Sequence, residues 1–168
     1  MECGSPLPLS NINGSWQKTP PFLRLCPVDT QIFTYEHRVT YAECTMGNHV
    51  YYGRYLELLE TARGEFFRKL GKTFLQWQQE DTIFPVTECR LQYRAAARYD
   101  DVLHIEIWIA ALEKIRITFG YRVLLKDTAK LILEAETQHV CTSLNEKPKR
   151  IPEELSAALL PYCKPTSP

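Results

Sequence analysis

The sequence predicts an α+β domain in which an antiparallel five-stranded sheet wraps around one long central helix. Three observations carry this expectation. First, the 11 prolines crowd the ends of the chain. Pro6, Pro8, Pro20, Pro21 and Pro27 lie early, Pro148, Pro152, Pro161, Pro165 and Pro168 lie late, and only Pro85 falls between. Proline removes a backbone donor and fixes φ, so continuous helix and ladder belong to residues 30–147. Second, the apolar period is two in most of that interval but switches to three and four over 51–70. Third, the strand-like runs after this segment are joined by short links, which suit antiparallel neighbours. The expected organisation is a Pro-rich extension over 1–29, the domain over 30–147, and a tail with a short helix over 148–168.

Residues 1–29 mix Pro, Ser, Asn and Gly with isolated apolar side chains, the composition of an extension rather than a core. Residues 32–42 (IFTYEHRVTYA) are rich in β-branched and aromatic types that alternate with polar neighbours, which reads as a strand. In 51–70 the residues Tyr52, Tyr55, Leu56, Leu59, Ala62, Phe66 and Leu70 recur at helical spacing, and Gly71 is placed to stop the helix. About 20 residues at 1.5 Å each give roughly 30 Å of helix. The polar stretch 72–81 also suits a helix. Four strand-like runs follow, at 82–94, 101–112, 115–126 and 129–142. In the third, Ile115, Ile117, Phe119, Tyr121, Val123 and Leu125 share one face. In the second, Val102 starts out of step, and Ile105, Ile107, Ile109 and Ala111 share a face. The segment 152–160 opens on Pro152 with Glu153 and Glu154 behind it, the signature of a short terminal helix.

Length and composition bound the function. The chain has 168 residues, 45% of them apolar, enough for one domain with a real core. Lys and Arg number 20 against 20 Asp and Glu, so the net charge is zero and the whole-protein signature of nucleic-acid binding is missing. Cys3, Cys26, Cys44, Cys89, Cys141 and Cys163 are scattered without a close pair, which fits reduced thiols better than a zinc site or disulfide framework. The first basic residue is Lys18, no apolar run of signal-peptide length follows Met1, and no window approaches the ~20 apolar residues of a membrane span. The expectation is a cytoplasmic protein with no metal or redox cofactor. One helix covers one face of a sheet, so the open face and edges point to a homodimer or homotetramer.

Residues 38–63 read R-V-T-Y-A-E-C-T-M-G-N-H-V-Y-Y-G-R-Y-L-E-L-L-E-T-A-R. This stretch resembles the hotdog-fold thioesterases of the 4-hydroxybenzoyl-CoA thioesterase family. Their usual pattern is an aromatic residue, an acid, a catalytic Asp after one intervening residue, a Gly-containing loop, V-x-Y-x-x-Y-L, and a helix ending in A-R. Tyr99-Asp100-Asp101 ahead of a strand fits the same spacing. The resemblance implies the hotdog fold and hydrolysis of an acyl thioester. Where the family carries its Asp this chain has Thr45. In that respect it is similar to the enediyne-polyketide thioesterases, a branch without the acid that shares T-[YF]-A-[ED] and an Arg matching Arg63. That branch is thought to act through oriented hydrogen bonds on the thioester and a bound water.

The candidate site follows from these residues. The loop Gly47-Asn48-His49 leads into the helix, whose unpaired N–H groups and dipole stabilise negative charge on a carbonyl oxygen. The resemblance places the polarising amide at the backbone N–H of Tyr52. An ordinary loop with Gly47 at positive φ is the plainer reading. Thr45 and Glu43 are two apart, so on a continuing strand both project to one face. Thr45 would then hold a water and Glu43 would act as base; a half-buried β-former and an ion-paired acid are the alternatives. Glu60 lies mid-helix in an L-x-E-T-A context from which another hotdog branch draws its carboxylate. It also stands three residues from Arg63, a spacing that suits a surface ion pair. Arg63 either orients substrate or water, or pairs with Glu60. His49 suits a substrate's polar end or a solvated loop. Tyr51, Tyr52 and Tyr55 would line the acyl pocket at a dimer interface. Arg90, Arg94, Arg98, Lys114, Arg116 and Arg122 supply positive charge for coenzyme A phosphates, or form solvated strand faces. The leading expectation is an acyl-CoA or acyl-carrier-protein thioesterase. A non-catalytic acyl-thioester binder or scaffold that has lost the acid is the alternative.

Overall fold

A computed structural model describes residues 30–164. The extension expected over 1–29 lies outside the described residues. The elements are β1 (Phe33–Arg38), α1 (Arg54–Lys69), α2 (Phe74–Gln79), β2 (Val86–Tyr93), β3 (Val102–Leu112), β4 (Arg116–Leu125), β5 (Leu131–Val140) and α3 (Glu153–Leu159). The strands form one antiparallel sheet in the order β1-β3-β4-β5-β2. This is the two-layer arrangement expected from the alternation of apolar residues.

The core is the inner sheet face against α1. Leu103, Ile105, Ile107 and Ile109 of β3 and Ile117, Phe119, Tyr121 and Val123 of β4 are buried. From α1 they meet Tyr55, Leu58, Leu59, Ala62, Phe66 and Phe67; of the stripe read in the sequence Tyr52 and Leu56 are exposed, and Leu58 and Phe67 stand in the core instead. Phe66 and Phe67 are fully buried, and each side chain contributes about 2–3 kcal/mol by leaving water. The helix starts three residues later than its apolar pattern, because Tyr51–Gly53 form a turn closed by the Arg54 N–H on the Tyr51 carbonyl. It stops at Gly71, whose φ of +105° is the left-handed conformation a helix exit favours.

Three boundaries differ from the sequence reading. A bulge between Ile109 and Ala111 turns Ala111 to solvent and Leu112 partly inward, so the expected alternation of β3 breaks there. The first strand ends at Arg38, and Tyr41–Glu43 is a 3-10 turn instead of a continuing strand. The C-terminal segment is part of the packed unit: Ile151, Leu155, Leu159 and Cys163 are buried in the same core. Cys163 bridges Ile109 where β1 has ended, and the Lys164 N–H bonds the Ile109 carbonyl at 3.0 Å. The border drawn at 147 therefore moves to Lys164 at least. Pro85 sits just before β2 and lends only its carbonyl, to the Val140 N–H at 3.1 Å. In β2 every side chain but that of Leu91 is exposed, and its outer edge has no strand beside it among the described residues.

Candidate active site

The loop ahead of α1 is a closed turn. The N–H and hydroxyl of Thr45 both donate to the His49 carbonyl, at 2.8 and 3.2 Å, and the Asn48 N–H donates to the Thr45 carbonyl at 3.0 Å. Asn48 takes the left-handed conformation (φ 53°) that Gly47 was expected to supply. Its side-chain oxygen accepts the Tyr99 N–H at 3.1 Å, which ties the turn to the loop before β3. At Gly47 a Cβ would stand 3.3 Å from the His49 ring, so a larger residue there would shift that exposed side chain slightly. His49 itself is exposed.

Glu43 does not face a substrate from a strand. The Thr40 N–H and hydroxyl donate to its carboxylate at 2.6 and 2.9 Å, and the His37 ring lies 2.9 Å away. Partial burial pushes this carboxyl up, but the Thr40 amide, His37 and the Thr40 hydroxyl outweigh it and hold it below the usual range. A carboxylate so engaged is a poor base.

At the start of α1 the backbone offers donors. The Tyr51 carbonyl accepts the Arg54 N–H at 2.9 Å, and in a trans peptide the following Tyr52 N–H points the opposite way. Among the described residues neither the Tyr52 N–H nor the Gly53 N–H has a partner. The Tyr93 hydroxyl donates to the Tyr52 carbonyl at 2.9 Å and fixes the next peptide as well. Tyr51 and the 64% exposed Tyr52 pack with ring centres 4.5 Å apart, tilted at 48°, to form an aromatic rim beside these donors. Tyr55 differs from the expectation. At 2% exposure it is core, its hydroxyl accepting the Ala97 N–H at 3.4 Å and its ring edge-on to Tyr93 at 5.6 Å.

Glu60 and Arg63 line a cleft of about 340 Å³ with Phe74, Gln78, Thr82, Ile83, Phe84 and Pro85. They do not pair with each other. The Arg63 guanidinium lies between the rings of Phe74 and Phe119, 6.0 and 5.9 Å from their centres, and donates to the Tyr121 hydroxyl at 3.1 Å. That leaves the Glu60 carboxylate without a partner among the described residues.

Behind Arg63 lie polar residues that the sequence reading passed over. The Tyr121 hydroxyl meets that of Thr137 at 3.1 Å, Thr137 meets His139 Nε2 at 2.9 Å, and His139 Nδ1 meets the Phe84 carbonyl at 2.9 Å. Tyr121, Thr137 and His139 are 1%, 2% and 1% exposed. The signal was present in β5, where Thr137 and His139 share the inward stripe with Leu133 and Ala135. Two polar residues on an apolar stripe need partners. Burial and the Arg63 charge push His139 down to about 4, so its ring is neutral near pH 7.

The strand cations divide. Arg90, Arg94 and Arg122 pair with Glu88, Glu134 and Glu106 at 2.6, 2.8 and 2.7 Å. Arg98, Lys114 and Arg116 have no ion pair among the described residues. No helix described here is long and apolar enough to cross a membrane.

Comparison with known proteins agrees with this architecture. The acyl-CoA thioesterase YbgC of Haemophilus influenzae is 33% identical over 130 residues, 75% of this chain and 93% of that protein. The structure of Slr0204, a 1,4-dihydroxy-2-naphthoyl-CoA thioesterase from Synechocystis, superposes with a TM-score of 0.72 at 23% identity, covering 77% of this chain and 96% of that one. The dynemicin thioesterase superposes with a TM-score of 0.75 at 18% identity, covering 80% and 99%. At these identities the two structures speak for the fold, which is the expected hotdog. The description of the thioesterase-like superfamily matches residues 39–159, and with the long helix, its donor-bearing N-terminus and the wrapped sheet all inside that span, the chain belongs to this superfamily.

Proposed function

We propose that the protein hydrolyses acyl thioesters of coenzyme A or of a carrier-protein phosphopantetheine, by water attack on a carbonyl held at the start of α1. The observation that carries this reading is the pair of unpartnered N–H groups, Tyr52 and Gly53, beside the Tyr51–Tyr52 rim. Fixed donors aimed at a developing oxyanion act without reorganising, which makes them worth most in the transition state. The absence of an acid at Thr45 supports placing the protein near the enediyne-polyketide branch, where hydrogen bonds do most of the chemistry. The Thr45 hydroxyl donates to His49, so its oxygen is left to accept from a water.

Glu60 is the stronger base candidate, since its carboxylate is unpaired whereas that of Glu43 is held by Thr40 and His37. Eight residues separate it from Tyr52, about 12 Å at 1.5 Å per residue. A general base must come within about 3 Å of the proton's heavy atom. Within one chain, Glu60 is thus too far from a thioester at Tyr52. A second copy that pairs along the exposed β2 edge would bring its own α1 to the site, so the working unit in this reading is a homodimer or a pair of dimers. Arg98, beside the loop tied to Asn48, is available for coenzyme A phosphates.

The test is steady-state hydrolysis of aryl, medium and long acyl-CoA and acyl-carrier substrates, with light scattering to fix the assembly. Turnover above background by a dimer or larger assembly is expected, lowered at least tenfold by Glu60→Gln. Saturable binding of a thioether analogue without turnover on any substrate would instead identify a binding protein that has lost the acid.

A further inference from the structure

We infer that Tyr121, Thr137 and His139 form a one-way hydrogen-bonded strap that positions the Arg63 guanidinium in the cleft, and that Tyr121 is a positioning residue for the reaction. The inference rests on the proposed hydrolysis and adds to it the first of the two roles the sequence left open for Arg63, orienting substrate or water.

The direction of the chain follows from its ends. Arg63 has only donors and the Phe84 carbonyl only accepts. With the ring neutral, Arg63 N–H donates to Tyr121, Tyr121 O–H to Thr137, Thr137 O–H to His139 Nε2, and His139 Nδ1–H to Phe84. Every hydroxyl then gives one bond and takes one, and no second arrangement satisfies all four residues. Bonds in series polarise each other, and burial strengthens them.

The strap joins two walls of one cleft. Arg63 comes from α1 and Phe84 from the segment before β2, and both line the same space as Glu60. The link passes through adjacent strands β4 and β5, in which Phe119↔Thr137 and Tyr121↔Ala135 are register partners. Arg63 has several rotatable bonds, and its other contacts are two ring faces at about 6 Å, which hold a cation near but do not fix its rotation. A directional bond to Tyr121 does. Tyr121 and Thr137 are buried behind Arg63, so they act only through it.

The experiment compares Tyr121→Phe and Thr137→Val in the full-length protein, each alone and combined with Arg63→Gln, with kcat, KM and urea stability measured for all. Tyr121→Phe should lower kcat about tenfold with KM within about twofold, because orientation matters most in the transition state. Thr137→Val should act in the same sense and less strongly. In the Arg63→Gln background both should change kcat by less than about twofold while their stability losses persist, a non-additivity that a purely structural role would not produce. Equal kcat losses in both backgrounds would overturn the inference. So would wild-type kcat in Tyr121→Phe and Thr137→Val, or in Arg63→Gln. Wild-type protein with no turnover would overturn the functional reading first, and is distinct from an active enzyme indifferent to the strap.

Discussion

Acidification should unfold this protein earlier than its carboxylates alone require, through His139. The folded ring is neutral: Nδ1–H donates to the Phe84 carbonyl, Nε2 accepts from Thr137, and Phe119 packs edge-on at 5.3 Å. Protonation would put a hydrogen on Nε2 and force the Thr137 hydroxyl to turn toward Tyr121. Tyr121 already receives from Arg63, so its own O–H would lose its acceptor. Burial and the Arg63 charge add to this, and the ring titrates at about 4 in the fold against an ordinary 6.5. Between those values the unfolded chain binds a proton that the folded chain refuses, so stability is full above 6.5 and falls as pH drops toward 4. At about 1.4 kcal/mol for each pH unit this amounts to about 3 kcal/mol over the window. Urea unfolding of wild type and His139→Gln at pH 7.5, 6.5, 5.5 and 4.5 isolates the effect, because the carboxylates titrate alike in both. Wild type should lose about 2–3 kcal/mol more than the variant between pH 6.5 and 4.5. Parallel curves across that range would refute the reasoning.

Three further outcomes are expected. A Cβ at Gly120 would run into the Trp108 indole that lies across it, so Gly120→Ala must displace the ring from Lys164, 3.6 Å away, and lower stability by about 1–3 kcal/mol. A raised Tm, as β-propensity alone would give, would count against this. Asn48→Ala loses both the left-handed preference and the bond to the Tyr99 N–H, and should destabilise by about 1–2 kcal/mol, with Asn48→Gly recovering the backbone part in the same thermal scan. Thr45→Asp puts a carboxylate in the turn ahead of α1, and a kcat above wild type with unchanged assembly would show that the oxyanion donors at Tyr52 are already in place.

The hydrophobic period determined the architecture. The switch at residue 51 marks α1, and alternation marks β1, β3 and β4, because burying one face of a strand or one stripe of a helix is a constraint on consecutive residues; β2, exposed except at Leu91, carries no such stripe. The superfamily was legible in residues 38–63 for the same reason: loop and helix start are contiguous in sequence. What failed were inferences about partners. Glu43 was read either as a base beside Thr45 on a continuing strand or as an ion-paired acid; the 3-10 turn removes the strand and leaves the second, with Thr40 and His37 as partners the sequence did not name. Glu60 and Arg63 stand at pairing distance along a helix, yet Arg63 turns to Tyr121, 58 residues away. Tyr55 shares its motif with Tyr51 and Tyr52 but points into the core. The C-terminal segment looked like a tail because its prolines rule out long ladders, though they do not prevent Leu155, Leu159 and Cys163 from closing the core beside β3. Local pattern thus determined the elements and the loop that leads into α1. Only the tertiary structure decided which acid is free and what holds Arg63, since a side chain's hydrogen-bond partner depends on which distant strand lies opposite it, and that register is written nowhere in its neighbours.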